Sequence, residues 1–102
     1  ERAGIDPKLA LEILSGSAAQ SWMLKARGPR MVEYDGVVTS AVEIFVKDLG
    51  LVLDTARATK FPLPLSATAH QMFMQASSAG HGREDDSAVI KIFPGIRLPA
   101  KV

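Results

Sequence analysis

The 102-residue sequence contains no cysteine, which excludes a disulfide framework and any thiolate nucleophile or metal ligand. Aromatic residues make up only 6% of it and are not interleaved with basic ones, and 12 basic against 11 acidic residues leave a net charge of +1. A nucleic-acid surface needs a basic stripe, so no nucleic-acid partner is expected. No apolar run approaches the roughly 20 residues that cross a bilayer, and the N-terminus lacks a signal-peptide core, so the expectation is no membrane and a cytoplasmic location. His70 has no second histidine or carboxylate at ligand spacing, so no metal is expected. Gly80 and Gly82 have neither the preceding strand nor the spacing of a phosphate cradle. Strand alternation is absent apart from a weak stretch over 31–38. There is no initiator methionine, and the opening residues read as the tail of a helix closing on Gly4, so the chain reads as a piece of something longer.

What is present is helical. Hydrophobic residues are 47% of the chain, enough for a core. The dominant stretch is 37–60, where Val42, Phe45, Val46, Leu49, Val52, Leu53 and Ala56 follow the i, i+3, i+4, i+7 pattern of a buried helix stripe. Ile44 and Leu51 widen that stripe and predict cover on more than one side. Thr39 or Ser40 is the expected cap, with Glu43 completing a capping box on Ser40, and Lys60 ahead of Phe61-Pro62 marks the stop. Before it, Asp6 caps a helix opening on Pro7 with Leu9, Leu11, Ile13 and Leu14 as its apolar face. A short helix over 18–26 carries Trp22, read as a core or hinge anchor. Arg27-Gly-Pro-Arg30 is expected to break it, leaving both arginines as solvated loop charges. After the Phe61-Pro62-Leu63-Pro64 connector, 65–79 predicts a helix with Leu65, Thr68, Ala69, Met72, Phe73 and Ala76 on its inner face and His70 satisfied or on the surface. Asp85, Asp86 and Ser87 crowd the start of a last helix as caps. Residues 94–102 are expected to be partly mobile. Together these predict a single all-α domain, a compact bundle of about four to five helices around the long central one.

One residue stands out. Lys47 lies mid-helix among apolar turns, where an ammonium needs an anion or a carbonyl to offset desolvation. The alternative is an i, i+4 bridge from Glu43 on the helix surface, worth only about 0.2 to 0.5 kcal/mol. Gly50, which costs about 1 kcal/mol relative to alanine, predicts close approach of a neighbouring helix or of a ligand.

The run Phe45-Val-Lys47-Asp48-Leu49-Gly-Leu51-Val-Leu53, the Phe-Pro-Leu-Pro-Leu connector and Gly80-x-Gly82-x-x-Asp85-x-Ser87-Ala88, in this order, resemble the C-terminal domain of the β-hydroxyacid dehydrogenases. That family includes 3-hydroxyisobutyrate dehydrogenase and tartronate semialdehyde reductase. Ser21-Trp22-Met23 and the run Glu84 to Phe93 look most like its L-threonate dehydrogenase branch. The resemblance implies a 6-phosphogluconate-dehydrogenase-like all-α domain in a two-domain oxidoreductase acting on a small hydroxy acid. Its N-terminal Rossmann domain would bind NAD, with NADP open, and would be this chain's partner together with further copies in a homo-oligomer. The family's catalytic lysine and asparagine, in G-x-G-x-x-x-K-x-x-x-N on the linking helix, have no counterpart here, so no catalytic residue is expected and the chain alone is expected to be inactive. Lys47 matches the family lysine that contacts the nicotinamide end of the cofactor. Ser40 stands where some relatives carry a phenylalanine. The reading from another class is a helical interaction module with an exposed apolar face.

Overall fold

The computed structural model describes residues 1–100; Lys101 and Val102 lie outside the described residues. Four α-helices are present among them: α1 (Pro7–Ser15), α2 (Trp22–Val32), α3 (Val42–Thr59) and α4 (Pro64–Ala76), followed by a π-turn (Ser77–His81) and a 3₁₀ helix (Asp86–Ile92). No strand forms among the described residues beyond two isolated bridges, Glu33 with Ala100 and Ala41 with Asp85. The chain divides into two compact units: Glu1–Val37 with the segment beginning at Phe93, and Val38–Ile92.

In the first unit the Asp6 carboxylate accepts from the Lys8 amide at 3.0 Å and Pro7 opens α1, as its sequence demands. Helix α2 differs from expectation. It starts four residues late, capped by the Ser21 hydroxyl on the Leu24 amide at 2.9 Å, and it continues through Arg27-Gly-Pro-Arg30 to Val32. The expected break is absent because Gly28 is the buried contact with α1: a Cβ there would run into Leu11 Cδ1. Tertiary packing thus outweighs local proline and glycine chemistry. Trp22 is not a core anchor; it is 73% exposed with the Arg27 guanidinium 5.8 Å from its ring centre. Arg30 is helical rather than a loop charge and pairs with Asp35 at 3.5 Å. The α1 apolar face is also less covered than expected, since Leu9, Ile13 and Leu14 stay exposed. Through residue 100 the tail is tied down, by Ala100 N–H on the Val32 carbonyl at 2.8 Å and Arg97 N–H on Glu1 at 2.9 Å.

The second unit holds the core. Val42, Ala76 and Ala88 are buried with Val46, Phe73, Val89 and Ile92 packed against them, and Phe45 stacks on Phe73 at 4.7 Å between ring centres. Small residues on α4 and the 3₁₀ helix let both approach α3 closely. Helix α3 begins at Val42, the first residue of its apolar pattern but five residues after the start of the stretch read as helical, and Ala41 rather than Thr39 or Ser40 caps it, without a side-chain bond. The capping box is not formed. Instead the first free N–H groups of α3 meet backbone carbonyls of the loop after the π-turn: Val42 on Glu84 at 2.9 Å and Glu43 on Gly82 at 3.0 Å. Helix α3 ends where expected, with Lys60 in the left-handed region at φ 54. Helix α4 stops at Ala76 rather than 79, Leu65 is 86% exposed instead of inward, and the final helix is 3₁₀, not α.

Candidate functional site

The site candidate is the outward face of α3. Residues Ile44, Lys47 and Leu51 stand at i−3, i and i+4, so they share one side of the helix. All three face out: Ile44 is 41% exposed, Leu51 60%, and the Lys47 side chain 67%. Within this unit the cover expected over Ile44 and Leu51 is therefore absent. Desolvation does not explain Lys47 either, because water reaches it. Its ammonium pairs with the carboxylate of Asp48 at 3.1 Å. The Glu43 bridge is not formed: the Glu43 carboxylate turns to the Ser77 hydroxyl and passes over Gly82, where a Cβ would collide with it.

Beside this face, His70 of α4 donates from Nε2 to the Val46 carbonyl at 3.1 Å, since a carbonyl oxygen only accepts. That is the satisfied histidine expected from sequence. A Cβ on Gly50 would meet His70 Nε2 at 3.7 Å, an ordinary contact, so the α3–α4 crossing leaves room for one and does not demand the glycine. Further along α3, Leu51 also lines a groove of about 430 Å³ with Val52, Thr55, Thr59 and Phe61.

A polar cluster supports the start of α3. Asp85, 1% exposed, accepts from the Thr39 amide at 3.0 Å, the Thr39 hydroxyl at 3.2 Å and the Ser87 hydroxyl. Its capping of the 3₁₀ helix was legible in sequence; the tie to Thr39, 46 residues away, was not. Glu84 binds both Lys91 and His81 Nδ1. Burial alone would raise its pKa, but the hydrogen bonds from Lys91 and His81 win and hold it below the ordinary carboxylate value. No group of three metal-ligating side chains occurs among the described residues, and no helix is long and apolar enough to cross a membrane.

Residues 1–93 match the family model described as NAD-binding of NADP-dependent 3-hydroxyisobutyrate dehydrogenase. The chain belongs to this 3-hydroxyisobutyrate dehydrogenase family. Within the family it is 64% identical over 100 residues to an L-threonate dehydrogenase of Cupriavidus necator, covering 98% of this chain and 34% of that protein. It is 56% identical over 98 residues to the L-threonate dehydrogenase of Escherichia coli K12, covering 96% and 32%. The crystal structure of a 3-hydroxyisobutyrate dehydrogenase from Salmonella typhimurium superposes with a TM-score of 0.86 at 55% identity, covering 90% of this chain and 32% of that one. The chain spans about a third of the length of the curated relatives it matches. The all-α fold and the family implied by the motifs are thus both established for this chain.

Proposed function

We propose that this chain is the C-terminal domain of a two-domain, NAD(P)-dependent hydroxy acid dehydrogenase whose substrate is L-threonate. The support is the high identity to L-threonate dehydrogenases across nearly the whole chain. In this reading the chain is cytoplasmic and works as a homo-oligomer. Its own Rossmann domain carries the pyrophosphate site and precedes α1 in sequence. The nicotinamide, when bound, supplies the hydride chemistry. What this chain contributes is the outward face of α3, and the single observation that carries the assignment is an ammonium held out to solvent between two exposed aliphatic side chains. Those residues fit the group: Lys47 offers N–H donors to a carboxamide or substrate oxygen, while Ile44 and Leu51 offer apolar walls to a flat ring.

The test is made in the two-domain enzyme. Lys47→Met keeps the stem and removes the charge. Expected is a fall in kcat/KM of about tenfold, equal to about 1.4 kcal/mol of transition-state stabilisation. Melting temperature is expected to move little, because the pair it breaks is exposed and such pairs contribute about 0 to 1 kcal/mol. Glu43→Gln, which disturbs the contact with Ser77, should instead lower the melting temperature and leave turnover nearly intact. Unchanged turnover of L-threonate in Lys47→Met would count against the assignment.

A further inference from the structure

Asp48 is the residue on the outward face of α3 that neither folding nor the proposed role of Lys47 accounts for. Consecutive helix residues point about 100° apart, so an i, i+1 pair is not one of the arrangements that stabilises a helix. The pair is exposed on both sides, 67% for Lys47 and 56% for Asp48. It therefore adds little to stability. Its effect is to place a carboxylate 3.1 Å from the one ammonium on a face otherwise made of Ile44 and Leu51.

That arrangement matters for a ligand whose charge changes. A nicotinamide ring carries one positive charge when oxidised and none when reduced. Lys47 alone, beside such a ring and with water displaced by Ile44 and Leu51, would repel the oxidised form and spare the reduced one, because charges interact more strongly once solvent is excluded. The Asp48 carboxylate cancels that bias. Resting on the reading that this face meets the nicotinamide end of the cofactor, we infer that Asp48 is a charge-balancing residue that sets the relative affinity for oxidised and reduced dinucleotide. The other charged groups on this stretch of α3 do not share the role. Glu43 is engaged by Ser77, and Asp54, six residues beyond Asp48, lies about 9 Å further along the axis.

Dissociation constants for NAD⁺ and NADH, measured by calorimetry and by nicotinamide fluorescence in the two-domain enzyme, test this through binding rather than turnover. Asp48→Asn should weaken NAD⁺ relative to NADH by about threefold or more. Lys47→Met should shift the same ratio the opposite way. Asp48→Glu should restore the wild-type ratio, and Asp54→Asn should move it less than Asp48→Asn does. Opposite shifts at 47 and 48 support the inference. A ratio unchanged in Asp48→Asn, while Lys47→Met still lowers kcat/KM, overturns the charge-balancing role and leaves the domain reading standing. If neither variant alters any binding or kinetic constant, the face does not meet the cofactor and both fall.

Discussion

Glu84 shows what a single side chain decides here. Its carboxylate stands between Lys91 and His81, while its carbonyl caps the Val42 amide. Its pKa in the folded chain lies below the ordinary value, so the folded state favours the charged form. The resulting stability is fully present above about pH 4.3, the ordinary glutamate value, and is lost as the pH falls below it through the depressed folded value. Melting curves of wild type and Glu84→Gln should therefore be well separated at neutral pH and converge as the pH falls below the ordinary glutamate value. A gap that stays constant down to pH 3 would mean that these contacts do not stabilise the fold.

At the scale of the element, the start of α3 depends on a segment forty residues downstream. Asp86 N–H donates to the Ser40 carbonyl at 2.7 Å, Ala41 bridges Asp85, and the Asp85 carboxylate holds Thr39 and Ser87. This replaces a local capping box by a tertiary one. Asp85→Ala would strand the amide and hydroxyl of buried Ser87, each costing about 1 to 3 kcal/mol when unmet, and would release the loop at Thr39. Expected is a loss of about 3 kcal/mol or more, seen as a fall in melting temperature of about 10 °C or more for a chain of this size. Thermal unfolding by circular dichroism measures it, and a loss below 1 kcal/mol would show that the cluster is dispensable. On the reading proposed for Lys47, which sits on the second turn of α3, the variant should also blunt cofactor contact through that helix.

At the scale of the whole molecule, the described residues bury few large hydrophobic side chains. Val42, Ala56, Ala76 and Ala88 are the buried ones, whereas Ile13, Trp22, Leu51, Phe61 and Leu65 are each more than half exposed. Apolar surface left in water at this density favours association. The isolated chain is expected to self-associate at micromolar concentration, most simply as a twofold dimer. Sedimentation velocity checks this, and a strictly monomeric species would argue that these side chains are tolerated singly.

The sequence by itself determined the helical class, the stop of α3 at Lys60, the Asp6-Pro7 start of α1, the capping role of Asp85 and, through its motifs, the family. Each of these rests on local chemistry or on residue order, which a chain carries in any context. Only the tertiary structure decided that α2 runs through Gly28-Pro29, because Leu11 packs where a side chain would otherwise stand. The same holds for the late start of α3, whose amides find carbonyls of Gly82 and Glu84, and for Lys47 choosing Asp48 over Glu43. These outcomes turn on contacts between residues distant in sequence, or between side chains whose rotamers such contacts select, and periodicity carries no record of them.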